Sequence, residues 1–166
     1  MPIRAFNTHD HQGCIKAGLA AAERHCAENG LHFTPVRRRV LEILLSEHKA
    51  QGAYDILNVL SAEGLGSQPP VAYRALDFLV THGFAHRIER LNAFIACSHA
   101  EGQHAPAFLI CRTCKRVVEA ETDPNASELA RAARRAGFVI ERTVREAEGL
   151  CPGCIEGPAT SGEASA

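Results

Sequence analysis

The sequence predicts an α+β protein with two small domains, an N-terminal winged helix-turn-helix domain and a C-terminal α/β domain stapled by four cysteines. Three observations predict this fold. Four stretches with the apolar period of a helix occupy the first half and lead into a short hairpin. Strand-like stretches then flank a first Cys-x-x-Cys pair. A second pair follows after 36 residues, so a folded element must lie between the two pairs.

The length, composition and charge of the chain limit the classes of protein to which it can belong. A chain of 166 residues with 46% hydrophobic residues can build one domain or two small cores. The first twelve residues carry no apolar run, and no stretch of about 18 apolar residues occurs, so we expect no secretory signal and no membrane span, and a cytoplasmic protein. The net charge is −1, and residues 1–85 hold eight basic and eight acidic side chains, so bulk charge does not indicate nucleic-acid binding.

The first helix is predicted over residues 14–29. Apolar residues recur along it with helical period, and Gly30 provides a C-terminal cap. The lone Cys26 falls on the apolar face, where core packing is its expected role. Residues 1–12 are predicted to form a flexible arm.

Three further helices follow. Thr34 can cap the next helix with its hydroxyl, and Pro35 suits the first helical position, where no N–H is needed. Arg37 and Arg38 point away from most of the apolar stripe of that helix, toward phosphates or solvent. Gly83 ends the last helix. The three predicted spans are residues 35–47, 53–64 and 69–83.

A hairpin follows the helices. Residues 84–90 and 93–97 are predicted as two strands because they are rich in β-branched and aromatic side chains around a two-residue turn. Helices followed by a hairpin are typical of a winged helix-turn-helix, whose last helix enters the major groove of DNA. We therefore expect a DNA-binding domain over residues 1–90 and a connection over residues 91–97.

The second half is predicted as two strands, a helix and a strand. Such a small unit exposes sheet edges and an apolar face that a second copy of the chain can cover, so we expect a homodimer. The dimerisation domain spans residues 98–155, with Leu129, Ala132 and Ala133 facing inward on its helix. A disordered tail is expected over residues 156–166. The predicted spans are a loop at 98–105, strands at 108–110 and 117–120, a helix at 128–137 and a strand at 138–146.

Four of the cysteines have the type and the spacing of metal ligands. A two-residue spacer lets both sulfurs of a Cys-x-x-Cys pair face one tetrahedral Zn2+ at about 2.3 Å. Two disulfides or two redox motifs are the alternatives, but seven cysteines in a reducing compartment favour metal ligation. Because four thiolates leave no position for a substrate, we expect a structural zinc site. Its ligands are Cys111, Cys114, Cys151 and Cys154.

A second set of donors surrounds the connection between the halves. Nitrogen, sulfur and oxygen donors of this kind suit four-coordinate Zn2+. Taken singly, His86 can be a wing residue, Cys97 a core residue and Glu119 a strand-surface carboxylate. The candidate ligands are His86, Cys97, His104 and Glu119.

Four motifs lie before the two Cys-x-x-Cys pairs. They are Thr-Pro-Val-Arg at residues 34–37, Ala-Tyr-Asp-Ile-Leu at 53–57, Pro-Pro-Val-Ala-Tyr-Arg-Ala-Leu-Asp-Phe at 69–78 and Gly-Phe-Ala-His at 83–86. In this order, and with both Cys-x-x-Cys pairs, the chain resembles the ferric uptake regulator family over roughly residues 14–155. Each motif is moderately specific, whereas their order is highly specific. One departure lies at Val71 and Ala72, where the family commonly has Thr-Val.

The resemblance implies a zinc-responsive member of that family. Such a protein is a dimeric repressor that binds palindromic operator DNA when a regulatory zinc site is filled, and it controls zinc uptake genes. The second donor set is then the regulatory site, which gives two zinc ions per chain with the structural one. Iron- and peroxide-responsive members tend to carry a His-His-Asp-His cluster before the first Cys-x-x-Cys, where this chain keeps only His104. His99 is a further candidate ligand, ranked below His104.

For DNA contact, the resemblance implies that Arg74 and Tyr54 approach bases, with Tyr73 beside Arg74, while Arg37 and Arg38 face phosphates. Three alternatives stay open: an iron or peroxide sensor of the same family, a zinc hydrolase, and a zinc-stapled adaptor without a sensory site. The hydrolase is disfavoured because four protein ligands leave no vacancy for water and no His-Glu-x-x-His pattern occurs. We therefore expect no enzyme activity, no small-molecule substrate and no membrane partner.

Overall fold

The structure is a computed structural model that describes residues 11–47, 49–98, 106–123 and 127–155. The predictions for His99, His104, the first ten residues and the tail lie outside these described residues. Among the helices that the structure describes, none combines the length and the apolar character that a membrane span needs.

Helices followed by small sheets give the α+β order that the sequence predicts. The first half contains α1 (His11–Glu28), α2 (Pro35–Ser46), α3 (Ala53–Ala62), α4 (Pro69–Thr81), β1 (Ala85–Ile88) and β2 (Ala93–Ala96). The second half contains β3 (Pro106–Cys111), β4 (Val117–Glu121), α5 (Glu128–Arg135), β5 (Glu146–Gly149) and α6 (Pro152–Ile155).

Local chemistry sets the ends of the helices as predicted. The Thr34 hydroxyl accepts a backbone N–H from the first turn of α2 at 3.3 Å, and Pro35 occupies the first position of that helix. Gly30 and Gly83 follow α1 and α4 with φ of 64° and 76°, a left-handed conformation that side chains disfavour. These caps confirm the two predicted glycine stops.

The beginning of α1 differs from the prediction. The helix starts at His11, three residues before residue 14, so the predicted arm over residues 1–12 is wrong at its last two positions. The apolar period places a helix start at the first apolar residue, and the sequence His-Gln-Gly before Cys14 offers none.

The main core lies between the four helices and the hairpin. The apolar stripes of α2, α3 and α4 meet there, and burial of each large side chain stabilises the fold by about 1.5–3 kcal/mol. The fully buried residues at its centre include Val40, Leu44, Ile56, Leu60, Leu76 and Leu79. This packing fixes the orientation of α4 against the other helices.

The hairpin is tied to the helices as well as to itself. Its two strands pair antiparallel, with His86 opposite Ile95, and Asn92 takes a φ of 46° in the turn. Gln51, just before α3, exchanges two backbone hydrogen bonds of 2.8 Å with Phe94 of β2. The wing is therefore held against the helical domain.

The sheet of the second half has the order β4-β3-β5, with β3 antiparallel to β4 and parallel to β5. A second apolar core joins this sheet to the hairpin: Ile88 and Ile95 pack with Phe108, Ile110 and Val117. The two halves therefore touch through side chains of the hairpin and of one face of the sheet.

The strand predicted over residues 138–146 is wrong. The strand found there is Glu146–Gly149, which pairs with β3, whereas residues 138–145 belong to no strand of the described chain. Phe138 and Val139 are 67% and 80% exposed. An alternating segment becomes a strand only where a neighbouring strand completes its hydrogen bonds. Among the described residues after α5, only those of β5 have such a neighbour within one copy of the chain, namely β3.

The inward face predicted for the helix of the second half is also wrong in part. Ala133 is buried, but Leu129 is 59% exposed and Ala132 is exposed as well. The 3.6-residue period identifies an apolar face correctly but does not tell whether that face packs on its own chain or on another one.

Candidate metal centres and nucleic-acid interface

Four cysteine sulfurs meet at one end of the sheet, and we name them the four-cysteine cluster. Cys111 ends β3 and Cys114 follows it, while Cys151 precedes α6 and Cys154 lies within it. All four Sγ atoms lie within 4.8 Å of one another. The parallel pairing of β3 and β5 brings them together, because it places Gly149 opposite Cys111. The two distant pairs thus converge as ligands of one tetrahedral ion must.

The electrostatics of the four-cysteine cluster favour a cation at its centre. Backbone N–H groups of Cys114 and Cys151 lower the pKa of Cys111 to about 6. The hydrogen bond with the Cys151 thiol, together with burial, raises the pKa of Cys154 to about 12. The two pKa shifts are opposite because backbone N–H groups stabilise the thiolate of Cys111, whereas the hydrogen bond and burial favour the neutral thiol of Cys154. A soft divalent ion such as Zn2+ fits this donor set.

A second cluster lies between the halves, and we name it the interdomain cluster. It consists of His86 in β1, Cys97 just after β2 and Glu119 in β4, whose ligand atoms all lie within 4.8 Å of one another. His86 Nε2 lies 3.3 Å from Glu119 Oε1, and Cys97 Sγ lies 3.9 Å from the same oxygen. Three of the four predicted donors therefore come together, and the fourth, His104, lies outside the described residues.

Glu119 is held with one oxygen toward the other two donors. Its side chain is 2% exposed, so the interpretation as a strand-surface carboxylate is wrong. The backbone N–H of Ser98 donates to Oε2 at 2.9 Å, and Oε1 faces His86 and Cys97. A buried carboxylate costs several kcal/mol unless positive charge or hydrogen bonds compensate it. A Zn2+ ion among these nitrogen, sulfur and oxygen donors fits the site.

Strand register explains why these three side chains meet. The N–H of Cys97 donates to the carbonyl of Phe84 at 2.9 Å and extends the hairpin by one residue beyond β2. Glu119 pairs with Phe108, whose ring centroid lies 5.3 Å from the imidazole of His86. The apolar contact between hairpin and sheet thereby sets the distance between the donors of the two halves.

Three of the side chains predicted to contact DNA lie on α3 and α4. Tyr73 and Arg74 are exposed near the start of α4, and Tyr54 is 64% exposed in α3. Arg74 Nε donates to the Pro70 carbonyl at 3.2 Å. Tyr54 and Tyr73 line a cavity of about 580 Å³ that extends to His86. Exposed aromatic and guanidinium groups on such helices are suited to contact bases and phosphates.

Arg37 and Arg38 have partners within the chain. The Arg37 guanidinium stacks on the Phe78 ring of α4 at 3.7 Å from its centroid and donates to the carbonyl of His32. Arg38 forms an ion pair with Glu23 of α1. Sequence reasoning missed the stacking, since no local pattern reports a contact between α2 and α4. The phosphate contacts of both arginines stay predictions.

Comparison with known proteins adds a sequence relationship to this geometry. The model of the ferric uptake regulator family matches residues 28–144. The zinc uptake regulation protein of Escherichia coli K12 is 37% identical over 140 residues, which cover 83% of this chain and 81% of that protein. The protein of the same name from Shigella flexneri gives the same values.

Two solved structures share both the fold and a third or more of the sequence. A zinc uptake regulator complexed with zinc and DNA has a TM-score of 0.81 and 35% identity, over 86% of this chain and 95% of the other. The holo form of the protein XcZur has a TM-score of 0.75 and 39% identity, over 84% of this chain and 98% of the other.

Proposed function

The chain belongs to the ferric uptake regulator family, and from this premise we propose that it is a zinc-responsive, dimeric transcriptional repressor. It binds a palindromic operator when its interdomain cluster holds zinc, and it controls genes of zinc uptake. Support comes from relatives named zinc uptake regulation protein and from the likeness to a regulator solved with zinc and DNA.

The interdomain cluster is the observation that carries this proposal. His86 and Cys97 belong to the hairpin and Glu119 to the sheet, yet their ligand atoms lie within 4.8 Å of one another. His104 is the proposed fourth ligand. The donors converge only while the two halves lie together, so one bound ion favours that arrangement by its differential affinity for it.

The four-cysteine cluster is the proposed structural zinc site. All of its ligands belong to the second half, where they join the end of β3 to α6. Four thiolates that close a tetrahedron leave no coordination position for a substrate. We therefore assign no catalytic role to this chain and expect about two zinc ions per chain, one in each cluster.

Helix α4 is the proposed recognition helix. Arg74 and Tyr73 are exposed on this helix, and Tyr54 of α3 lines the same cavity as Tyr73. An arginine that forks onto guanine reads the major groove directly. The Arg37 stack on Phe78 holds α4 against the start of α2, and Arg37 and Arg38 are the proposed phosphate contacts. A repressor of this kind acts where the chromosome is, and we place it in the bacterial cytoplasm.

A second copy of the chain is the proposed partner of the exposed apolar side chains in α5 and in the segment that follows it. Leu129, Phe138, Val139 and Val144 are 59%, 67%, 80% and 48% exposed. Several exposed apolar side chains within one short segment favour an interaction site, and the alternating residues 138–145 can pair with their own copy across a two-fold axis. A symmetric dimer then presents two recognition helices to half-sites about 34 Å apart.

The test is an operator titration at fixed salt with buffered zinc. Wild type is compared with Cys97→Ser and with Cys14→Ser, a matched control because Cys14 is exposed and belongs to neither cluster. We expect wild type and Cys14→Ser to bind the operator only with zinc and to hold about two zinc ions per chain. Cys97→Ser should stay dimeric, lose about one zinc ion per chain and keep only weak non-specific binding.

Three results would change this assignment. An unchanged zinc response in Cys97→Ser would place the switch elsewhere in the chain. Wild type that holds a single zinc and binds DNA regardless of zinc supply would favour the zinc-stapled adaptor. A response to ferrous iron or peroxide in place of zinc would favour another sensor of the same family.

A further inference from the structure

A second link between the two halves lies beside the interdomain cluster and contains no metal ligand. The turn that follows β1 directs two successive backbone N–H groups toward the sheet. Those of Glu89 and Arg90 donate to the two carboxylate oxygens of Glu146 at 2.6 and 2.9 Å. Glu146 is the first residue of β5, so these bonds cross from the hairpin to the sheet.

One row of the sheet carries both links. Glu119 pairs with Phe108, and Phe108 pairs with Glu146, on three neighbouring strands. Directly opposite residues project to the same face of a sheet, and this face lies against the hairpin. At one end of the row, Glu119 meets His86. At the other end, Glu146 meets the turn that begins three residues after His86.

Among the described residues, two ion pairs join this turn to the second half. Arg90 forks onto Glu148, with both N–O distances at 3.1 Å, and Arg142 reaches Glu89 at 2.7 Å. These side chains are 31–70% exposed, so solvent screens each pair and each contributes little. The hydrogen bonds that a carboxylate accepts from two backbone N–H groups are stronger and more directional than these ion pairs, because the backbone donors lose no side-chain freedom when the bonds form. Glu146 is therefore the principal contact of this link.

We propose that Glu146 is a positioning residue for the interdomain cluster. Its hydrogen bonds to the turn after β1 hold His86 close to Glu119 and thereby raise the zinc affinity of that cluster. This role rests on the proposed function. A contact made only while the halves lie together increases the population of that arrangement. A ligand that requires the arrangement then binds more tightly by the same factor.

Chelator competition on the full-length protein without DNA measures the effect. We expect Glu146→Ala to lower the zinc affinity of the more labile site about tenfold. This is the effect expected from the loss of hydrogen bonds to a charged group in a partly exposed position. Glu146→Gln should weaken it about threefold, because one amide oxygen replaces two acceptors. The four-cysteine cluster should keep its zinc in both variants. Glu128→Ala is the control, since this exposed carboxylate of the same half lies 3.5 Å from Arg131 of its own helix.

Operator binding at increasing buffered zinc separates positioning from damage to the fold. The zinc concentration for half-maximal binding should rise by the factor found in the competition experiment. The plateau at saturating zinc should stay at the wild-type level, because excess zinc restores the closed arrangement. A merely structural role would lower the melting temperature or the plateau and leave the zinc midpoint in place.

Unchanged zinc affinity in both Glu146 variants would overturn the proposal, as would a lower plateau at an unchanged midpoint. If Glu146→Ala does not fold, Glu146→Gln decides alone by the same criterion. Failure of the proposed function is distinguishable, since the wild type itself would then bind the operator without regard to zinc. Failure of this inference alone leaves the wild-type zinc response intact.

Discussion

The four-cysteine cluster and the interdomain cluster differ first in where their ligands come from. All four cysteines belong to the second half of the chain, whereas the interdomain cluster combines His86 and Cys97 of the hairpin with Glu119 of the sheet. A metal bound within one domain stabilises that domain in any arrangement. A metal bound between two domains favours the one arrangement in which its ligands converge. The origin of the ligands therefore distinguishes a structural metal site from a regulatory one.

The two clusters also differ in charge. The four-cysteine cluster offers four thiols, and the pKa of Cys111 is already lowered to about 6 by backbone N–H groups. The interdomain cluster offers an imidazole, a thiol and a carboxylate, hence fewer negative charges. Attraction for a divalent cation grows with the number of anionic donors. We expect the four-cysteine cluster to hold zinc permanently and the interdomain cluster to exchange it as supply changes.

The largest expected effect tests the staple. Cys111→Ser removes a proposed ligand whose site does not exist in the unfolded chain, so we expect zinc binding there to contribute on the order of 10 kcal/mol to folding. The variant should lose that zinc and become monomeric or aggregated. Zinc content, size-exclusion chromatography and thermal unfolding measure this, with Cys14→Ser as the matched control. A dimeric Cys111→Ser protein with normal operator binding would contradict the structural role.

The next effect tests whether the clusters act independently. His86→Ala should fold, stay dimeric and keep the structural zinc, because His86 belongs to the interdomain cluster alone. Its operator affinity at saturating zinc should fall on the order of a hundredfold, the loss expected when the closed arrangement drops to about 1% of the population. Fluorescence anisotropy with labelled operator measures this. His32→Ala is the control, since His32 is an exposed histidine outside both clusters. Loss of both zinc ions in His86→Ala would show that the clusters are not separate.

The smallest expected effect separates DNA reading from both metal clusters. Arg74→Ala should lose about 1–3 kcal/mol of discrimination between operator and random DNA, because a base contact specifies sequence. Arg38→Ala should weaken both DNAs alike, because a phosphate contact carries no sequence information. Zinc affinity without DNA should stay unchanged in both variants. An unchanged ratio of the two DNA affinities in Arg74→Ala would show that α4 is not the reading helix.

Features encoded by neighbouring residues could be predicted from the sequence. Thr34 and Pro35 specify the start of α2 through a hydroxyl cap and a missing N–H, and the structure has both. The two-residue spacing of each Cys-x-x-Cys pair likewise predicts that both sulfurs face one point, as they do. Each of these signals acts within one turn of the chain.

Features that depend on distant partners could not be predicted. Residues 138–145 carry the alternation of a strand, but a strand also needs a neighbour, and that information is absent from the segment itself. Arg37 on α2 gives no sign that Phe78 lies above its guanidinium. The same holds for Glu146, whose hydrogen-bond donors lie in the hairpin turn. Tertiary packing decides all three.

The proposed coupling between zinc binding at the interdomain cluster and operator binding is tested most directly by its reciprocity. The zinc affinities of the wild type are measured at fixed salt by chelator competition, with and without saturating operator DNA. We predict that the operator tightens zinc binding at the labile site by the same factor by which zinc tightens operator binding, within roughly 5–150-fold, and leaves the four-cysteine site unchanged. Zinc affinities that are equal with and without operator would contradict a switch at the interdomain cluster.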